Sequence, residues 1–323
     1  MAHRPLIDRI RRRLRREVLS PLDARLVLPY RRWRNATRDF RPVFVAGVMG
    51  SGTSLLALEL GQRFECGAVI YESAHEISPR SFLYSPGPDA FASVSEFFTG
   101  ILPDPGWSES EGRAALLDLY RSKARRSGVV AVDKGPNTNL VRAEFLARCF
   151  PQAFFIVILR DPVVTIEGLR RKWPLFAAED LEASIRFYGK THERFVEAVC
   201  RFPERVMSVD YEAIVARPDE SLGAIARAAG LEPTRRSPRL APSANVEGQG
   251  IRNVRRGRIG IVTDANQRAY ARLAPKVVRK IRNEVGPLTG RIHGLYRSVR
   301  FAALEDAAID GGQADERGVG GGP

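Results

Sequence analysis

The apolar residues of this chain recur in short unbroken runs, with no regular alternation with polar residues. The runs lie at 42–47, 67–71, 128–133, 153–159 and 205–210. Unbroken apolar runs of this length are typical of strands that are covered on both faces, as in a parallel sheet. The pattern therefore predicts five buried strands.

Helical periodicity fills the intervals between these runs. Helices are predicted at about 54–63, 110–126, 138–149, 178–200 and 218–229, and a short one follows Pro162. Strands alternating with helices predict an α/β fold, a doubly wound parallel sheet of about five strands with helices on both faces. Beyond residue 231 the pattern predicts no further strand. It predicts a helical C-terminal part at 264–285, restarted at Pro275 and ended at Gly286.

Three segments fall outside this alternation. Residues 76–107 are rich in Pro, Ser, Phe and Gly and are predicted to form a long irregular insertion. Residues 1–41 form a basic N-terminal arm, and the Gly-rich tail at 301–323 is predicted to be disordered. The folded domain is therefore expected at 42–300.

The charge of the chain is concentrated in the arm. The net charge is +14, and residues 1–41 hold 13 arginines, no lysine and four acidic residues, a surplus of nine positive charges. Three interpretations stay open: a solvated basic helix, a helix lying on anionic lipid, and a nucleic-acid contact. Ile7, Ile10, Leu14 and Val18 recur at helical spacing, which suits peripheral membrane contact. No aromatic interleaving or known module favours nucleic acid, so no nucleic-acid partner is expected.

The remaining composition suggests a cytoplasmic protein, at the inner face of the membrane if the arm binds lipid. No apolar run approaches the roughly 20 residues that a membrane span needs, and no apolar signal region follows the N-terminal charges. Three scattered cysteines without a CxxC pair argue against disulfides and a zinc site. No metal is expected.

A glycine-rich turn follows the first apolar run. The segment Gly47-Val-Met-Gly-Ser-Gly-Thr53-Ser54 joins a predicted strand to a predicted helix. Successive main-chain amides and the helix dipole make such a turn a nest for phosphate or sulfate. The spacing matches the nucleotide triphosphatase loop, but Thr53 stands where the lysine that reaches the β- and γ-phosphates should be. ATP or GTP hydrolysis is therefore not expected.

Four segments, in this order, resemble motifs of the sulfotransferase superfamily. They are MGSGTS at 49–54, ILRDP at 158–162 preceded by FPQA at 150–153, VDYEAI at 209–214 and RRGRIG at 255–260. The resemblance covers about 42–262 and implies a P-loop-type sulfotransferase fold. It also implies transfer of a sulfuryl group from 3′-phosphoadenosine 5′-phosphosulfate (PAPS) to an acceptor, without a metal.

The resemblance assigns the donor site residue by residue. The 5′-phosphosulfate would bind at Gly50, Ser51, Gly52, Thr53 and Ser54. The 3′-phosphate would bind Arg160, whose planar fork suits phosphate oxygens, and a loop containing Arg255, Arg256 and Gly257. Tyr211 matches a position that meets adenine, or is a core aromatic. The two anion cradles are expected to lie a nucleotide's length apart on one cleft.

Catalytic roles follow from the same resemblance and from the chemistry of transfer. Lys134, at the end of the third predicted strand, is expected to stabilise charge on the leaving phosphate. The acceptor needs a general base, and Glu72 is the first candidate, followed by Glu76 and His75. The histidine that one branch of the family uses is missing, because Gly135, Pro136 and Asn137 fill that stretch.

Two positions depart from the family pattern. Gly50 replaces a basic residue of the phosphate loop, and Gly168 replaces a serine that contacts the 3′-phosphate. Lys134, an arginine of the 235–258 loop or Thr165 could compensate. A catalytically weak nucleotide-binding scaffold of the same fold and a P-loop kinase therefore stay open as alternatives.

The acceptor is left as a hydroxyl or amine of a carbohydrate, a lipid or a small molecule, and the oligomeric state is left open. Aromatic residues near the predicted insertion suggest apolar walls for its pocket; they are Phe82, Tyr84, Phe91, Phe97, Phe98 and Trp107.

Overall fold

The computed structural model describes residues 28–125, 127–234, 263–295 and 297–299. Its six strands form one parallel sheet with the order β2-β3-β1-β4-β5-β6. The strands are β1 (Arg41–Ala46), β2 (Cys66–Tyr71), β3 (Val130–Lys134), β4 (Phe154–Leu159), β5 (Val206–Asp210) and β6 (Arg297–Val299). The five predicted strands and their parallel arrangement are confirmed.

The described helices are α1 (Leu28–Arg34), α2 (Thr53–Arg63), α3 (Ser73–Glu76), α4 (Val94–Ile101), α5 (Glu109–Lys123), α6 (Thr138–Val141), α7 (Ala143–Cys149), α8 (Pro162–Lys172), α9 (Pro174–Ala178), α10 (Leu181–Val199), α11 (Tyr211–Ala216), α12 (Pro218–Ala229), α13 (Thr263–Ala271) and α14 (Pro275–Leu295). Two 3-10 turns lie at Pro88–Ala90 and Pro203–Arg205.

Each face of the sheet is buried under its own set of helices. Alternate residues of β1 point to opposite faces, so Phe44 belongs to one apolar cluster and Val43 and Val45 to the other. Helices α5, α7, α8 and α10 cover the Phe44 face, while α2, α11 and α12 cover the other. Burial on both faces explains why the strands are apolar throughout, and the predicted doubly wound fold is confirmed.

The connections place one edge of the sheet in position to bind a ligand. From β1 the chain moves outward to β2, returns to β3 beside β1, and then crosses to β4 on the other side of β1. The winding therefore reverses next to β1. In open α/β sheets the crevice at such a reversal, outside the carboxyl ends of the strands, is where ligands bind.

The C-terminal part differs from the prediction in two respects. Helix α14 does not end at Gly286 but continues through Pro287 to Leu295, and β6 follows it. Buried His293 joins the helix to β5: its Nδ1 lies 3.1 Å from Ser208 Oγ, and its Nε2 lies 2.7 Å from an Asp210 carboxylate oxygen. Strand β6 has only three residues, too few for a periodicity, and pairing with β5 alone defines it.

The predicted irregular insertion contains a helix that the sequence signals. Ser93 accepts a hydrogen bond from the amide of Glu96 at 3.0 Å, and Glu96 accepts one from the amide of Ala92 at 2.9 Å. These two bonds begin α4 and resemble the S-x-x-E capping box, except that the glutamate accepts from the amide of Ala92 and not from that of the N-cap Ser93. The predicted helix at 138–149 is also interrupted, at Arg142, whose buried guanidinium donates to the carbonyls of Ile101 and Leu83.

The end of the predicted basic arm packs on the domain. The side-chain amide of Asn35 donates to the carbonyl of Arg121 in α5, and Arg32 pairs with Asp118 of the same helix at 2.8 Å. Trp33 on α1 is 74% exposed.

Residues 1–27 and 300–323 lie outside the described residues, so membrane contact and the division into arm, domain and tail stay predictions. Within the described part of the chain, no helix combines the length and apolar character that crossing a bilayer requires.

Candidate active site

The glycine loop between β1 and α2 lies at the centre of the carboxyl edge. Gly50 and Gly52 have φ values of 93° and 105°, a left-handed conformation that side chains disfavour. A Cβ at Gly52 would overlap the ring of Tyr211, whereas a Cβ at Gly50 would meet nothing within 4 Å. The loop leads directly into α2, whose first amides at Thr53 and Ser54 have no acceptor inside the helix. The loop therefore offers main-chain donors to an anion.

Asn137, which the sequence analysis did not select, braces this loop. Its Oδ1 accepts a hydrogen bond from the amide of Met49 at 3.2 Å, and its own amide donates to the carbonyl of Gly47 at 2.9 Å. Among the described residues, the two non-glycine residues with positive φ are Asn137 and Glu72, and both lie at this site. Strained backbone of this kind clusters at functional sites.

Arg160 lies directly after β4 and reaches the loop. Its Nη1 donates to the carbonyl of Gly50 at 3.2 Å, and its Nη2 donates to Oδ1 of Asn266 in α13 at 2.8 Å. The guanidinium also lies over the ring of Tyr211, 4.5 Å from the centroid. We expected Arg160 and the loop to be separated by the length of a nucleotide, and this expectation is wrong. Gly50 has no side chain, so the guanidinium of Arg160 can contact the loop directly.

Among the predicted donor-binding residues that the structure describes, two have a buried side-chain atom without a hydrogen-bond partner, Ser51 Oγ and Arg160 Nε. A buried polar group without a hydrogen bond is costly, so each such atom calls for an explanation. Both atoms belong to residues that were predicted to bind the donor.

An ion cluster lies at the ends of β2 and β3. Lys134 ends β3, and its ammonium pairs with the carboxylate of Glu72, which follows β2. The second carboxylate oxygen of Glu72 lies 2.9 Å from Nδ1 of His75 on α3. The side chain of Lys134 is 5% exposed and that of Glu72 is 32% exposed. The carboxylate is therefore the group of this pair that faces the solvent.

Burial and the ion pair shift the pKa values of Glu72 and Lys134. Burial on its own would raise the pKa of Glu72, but the hydrogen bond with His75 and the charge of Lys134 outweigh it and lower the pKa to about 2. Burial lowers the pKa of Lys134, and Glu72 opposes that shift. Beneath the cluster, burial raises the pKa of Asp133 to about 6, while the hydroxyl of Tyr120 donates to its carboxylate at 2.7 Å.

One cleft of about 880 Å³ joins the glycine loop to this cluster. Of the predicted site residues, those that line it are Gly50, Gly52, Thr53, Ser54, Glu72, His75, Lys134, Arg160 and Tyr211. Ser51 is buried beneath the loop. Glu76 does not line the cleft, because its carboxylate pairs with Lys123 of α5. Arg255, Arg256 and Gly257 lie outside the described residues.

A model of the sulfotransferase family matches residues 42–235, more than half of the chain. The chain belongs to the sulfotransferase family. No curated protein sequence matches it.

Several solved structures have a similar fold to this sulfotransferase family member. A sulfotransferase domain from the curacin biosynthetic pathway is 14% identical over 77% of this chain and 99% of its own, with a TM-score of 0.49. Sulfotransferase STF9 from Mycobacterium avium is 16% identical over 77% of this chain and 81% of its own, with a TM-score of 0.44. Mouse sulfotransferase SULT7A1, solved with PAP, is 14% identical over 82% of this chain and 91% of its own, with a TM-score of 0.40.

The aromatic wall of this family member is smaller than predicted. Of the six aromatic residues proposed to shape the acceptor pocket, Phe97 lines the cleft. The other five pack against the core, where Phe82 and Trp107 have ring centroids 5.0 Å apart. The apolar lining comes instead from Pro86, Pro88, Phe97, Ile101 and Trp173. Composition indicated apolar walls, but it could not distinguish the aromatic residues that line the cleft from those that pack in the core.

The residues at and around Gly168 also differ from the prediction. The hydroxyl of Thr165 donates to the carbonyl of Asp161 at 3.1 Å, and the residue is buried, so it does not replace the missing serine. The cleft wall on α8, on α13 and just beyond α13 carries four cations that the sequence analysis did not select: Arg171, Lys172, Arg268 and Arg272. The sequence could have indicated the two cations on α8, because residues 164, 168, 171 and 172 have the spacing of one helix face.

In the described part of the chain, no group of three or more His, Cys, Asp or Glu could hold a metal.

Proposed function

We propose that this protein transfers a sulfuryl group from PAPS to a hydroxyl or amine acceptor. One observation carries the proposal: a glycine loop with left-handed φ angles, a buried lysine paired with a carboxylate, and Arg160 line a single cleft at the reversal of the sheet. Membership of the sulfotransferase family supports the same reaction.

The loop end of the cleft suits the 5′-phosphosulfate of the donor. The amides of Gly50, Gly52, Thr53 and Ser54 and the hydroxyls of Thr53 and Ser54 would surround the anion, and the N-terminus of α2 adds positive potential. Arg160 lies against the loop and would add charge-assisted hydrogen bonds. The guanidinium also lies over the ring of Tyr211, and this cation–π contact helps to keep it in position. These contacts orient the donor for in-line transfer.

Lys134 and Glu72 would divide the chemistry between them. The bond between sulfur and the oxygen of the leaving phosphate breaks, a new bond forms from sulfur to the acceptor, and the acceptor proton must be removed. Lys134 stabilises the charge that builds on the leaving phosphate oxygen. Glu72 accepts the proton, which places it as the base.

The ion pair explains how a carboxylate of low pKa could serve as this base. The hydrogen bond with His75 and the charge of Lys134 together hold the pKa of Glu72 at about 2. A bound donor brings negative charge that competes with Glu72 for the same ammonium. Each interaction that Lys134 shifts from the carboxylate to the donor raises the basicity of Glu72. Donor binding would therefore prepare the base for the acceptor.

The lining beside the cluster favours an acceptor with an apolar portion. Ala74, Pro86, Phe97, Ile101 and Trp173 contribute to the cleft, together with several neutral polar side chains. The apolar side chains suit the apolar portion of a lipid alcohol or small molecule, and the polar ones can bind its reacting group. Within the acceptor classes that the sequence leaves open, apolar alcohols and amines are thus the first to test.

A nucleotide-binding scaffold of weak activity is the second candidate, because Gly50 leaves the loop without its own cation. Calorimetry with 3′-phosphoadenosine 5′-phosphate (PAP) tests donor binding, and we expect a micromolar dissociation constant that weakens at least tenfold in Arg160→Ala. Transfer of labelled sulfate from PAPS to a panel of apolar alcohols, amines and sugars then separates the candidates. Tight PAP binding with no transfer to any acceptor favours the scaffold, and ATP-dependent phosphorylation without PAP binding favours a kinase.

A further inference from the structure

The exposed apolar side chains of this protein precede the amino ends of its strands. Among the described residues, four large hydrophobic side chains are exposed: Tyr30, Trp33, Val129 and Leu295. Val129 directly precedes β3, Leu295 lies just before β6, and the two aromatic residues lie on α1, the helix before β1. In a parallel sheet these positions belong to the amino edge, whereas the cleft lies at the carboxyl edge.

Tyr30 and Trp33 form a pair on one side of α1. They are three positions apart, and their ring centroids are separated by 6.1 Å. Tyr30 is 56% exposed and Trp33 is 74% exposed, so most of both rings is left in contact with solvent. Each residue combines an apolar ring with a polar O–H or N–H, a combination that suits the boundary between the headgroups and the acyl chains of a bilayer.

Other residues hold α1 on the domain. The side-chain amide of Asn35 donates to the carbonyl of Arg121 on α5 at 3.2 Å, and Nη1 of Arg38 donates to Oδ1 of Asn35 at 2.7 Å. Nη2 of Arg38 donates to the carbonyl of Gly128, the residue before Val129. The aromatic pair is therefore presented by a helix that is attached to the folded domain at its amino edge.

The segment that carries the rings is strongly basic. Residues 28–41 hold five arginines and one acidic residue, Asp39, whose carboxylate pairs with Arg113 at 2.8 Å. Arg34 is exposed and follows Tyr30 by about one helical turn. Arginines beside exposed aromatic rings can contact lipid phosphates while their aliphatic stems lie along the apolar layer.

This charge favours an anionic lipid surface over a second copy of the chain. Two copies that met through this surface would bring their arginines together, and like charges across an interface oppose association. A bilayer with anionic headgroups attracts the same arginines and accepts both rings in its interfacial region.

We propose that α1, through Tyr30, Trp33 and the arginines around them, docks this protein on the surface of a bilayer that contains anionic lipid. The sequence analysis considered lipid contact at positions 7–18 of the arm, whereas this surface belongs to the folded domain. No residue of α1 lines the cleft, so docking through α1 leaves the cleft accessible. The inference does not depend on the reaction that the cleft performs.

Flotation of the full chain with lipid vesicles tests the proposal. Phosphatidylcholine vesicles with about one-third phosphatidylglycerol should bind the wild type about tenfold more strongly than vesicles of phosphatidylcholine alone. Tyr30→Ala/Trp33→Ala should lower the partition coefficient on the anionic vesicles about tenfold or more, because the rings no longer enter the interface. Leu295→Ala is the matched apolar control, since β6 lies three strands from β1, and it should bind like the wild type.

A matched pair of charge reversals separates this surface from the net charge of the chain. Arg80 is exposed in the turn after α3, beyond the carboxyl end of β2, and does not line the cleft. Arg34→Glu should weaken binding to the anionic vesicles about tenfold. Arg80→Glu should weaken it much less, because a charge further than a Debye length from the headgroups is screened. Equal losses in the two variants would show that only the total charge matters, and would overturn the proposal.

The fluorescence of Trp33 reports the contact directly. The chain has two other tryptophans, Trp107, which packs against the core, and Trp173, which lines the cleft. Brominated acyl chains should quench part of the emission of the wild type on anionic vesicles. Trp33→Phe should still bind but should lose this quenching. Binding with equal quenching in Trp33→Phe would mean that another surface contacts the lipid, which contradicts the proposal.

Three further results would also overturn the lipid assignment. The first is a wild type that does not bind the anionic vesicles. The second is a wild-type dimer in sedimentation that Tyr30→Ala/Trp33→Ala converts to monomers without any vesicle binding. The third is binding of a single-stranded oligonucleotide, but not of vesicles, that the same variant loses.

Chemical denaturation is the control for folding of the double variant. Both rings are exposed, so we expect its unfolding curve to match that of the wild type. If it does not, Arg34→Glu and Trp33→Phe decide the question alone, since each changes one exposed side chain. None of these measurements uses a nucleotide, so failure of the proposed sulfuryl transfer and failure of the docking surface are distinguishable.

Discussion

The two ends of the cleft are prepared for negative charge by different means. At the loop end, main-chain amides and glycine geometry do most of the work, and one arginine reaches in from the end of β4. At the other end, Lys134, Glu72 and His75 form a cluster of ionisable side chains that neutralise one another. An amide nest cannot change its charge, whereas the cluster can exchange partners and protons. The comparison suggests that the loop end binds and the cluster end reacts.

The largest expected effect is that of Lys134→Met on turnover. Loss of the charge on the leaving oxygen should lower the rate of sulfuryl transfer about 100- to 1,000-fold, while PAP affinity changes much less. Transfer of labelled sulfate and calorimetry on the same protein measure the two quantities. Lys123→Met, which breaks the pair with Glu76 away from the cleft, is the control. Equal losses of binding and turnover would show that the cluster end also binds.

Gly52→Ala should damage the loop end instead. An alanine there has to adopt φ near 105° and overlaps Tyr211, and we expect unfolding to become easier by about 1–3 kcal/mol and PAP to bind at least tenfold more weakly. Gly50→Ala is the matched control, since it shares a positive φ but meets no neighbour. Chemical denaturation and calorimetry compare the two; similar losses in both variants would mean that backbone strain alone, and not the contact with Tyr211, limits the loop.

Glu72→Gln should show a stability loss that depends on pH. The substitution leaves Lys134 buried without its anion, and because Glu72 is about one-third exposed we expect a loss of about 1–2 kcal/mol at neutral pH. The pKa of Glu72 falls from its ordinary value of 4.5 to about 2 on folding, so its contribution is complete above about pH 4.5 and disappears as the pH falls toward 2.

Denaturation curves of the wild type and Glu72→Gln should therefore converge below pH 4.5. A gap between the two proteins that stays constant down to pH 2 would show that the carboxylate is not held by the ion pair. Glu204→Gln, on an exposed turn, should leave stability nearly unchanged across this range.

The smallest expected effect is that of Asn266→Ala. Asn266 accepts a hydrogen bond from Arg160 and donates one to Glu212 at 3.0 Å, so it orients the arginine without lining the cleft. Its loss should weaken PAP two- to fivefold, which corresponds to about 1 kcal/mol or less, because Asn266 only orients Arg160 and does not itself line the cleft. Calorimetry in the Arg160→Met background completes a double-mutant cycle. If Asn266→Ala weakens PAP as much there as in the wild type, Asn266 does not act through Arg160.

Local patterns accounted for much of the fold and for the loop. The unbroken apolar runs defined five of the six strands because burial on both faces leaves no polar position in them. The glycine spacing at 47–52 predicted the tight turn after β1, because only glycine enters the left-handed conformation without strain. The helix at Val94–Ile101 was not predicted, although the sequence contains its Ser93-x-x-Glu96 cap. The Pro-, Ser- and Gly-rich residues around it indicated an irregular segment instead.

The rest depended on contacts between residues far apart in the chain. The sequence alone determined the alternation of strands and helices and the glycine loop after β1, because backbone conformation and burial act over neighbouring positions. Only the tertiary structure decided that Arg160 lies against Gly50, that Glu76 pairs with Lys123, and that Arg171 and Arg272 share Glu167. Long charged side chains choose among several partners within reach, and packing of distant helices determines which of those partners are present.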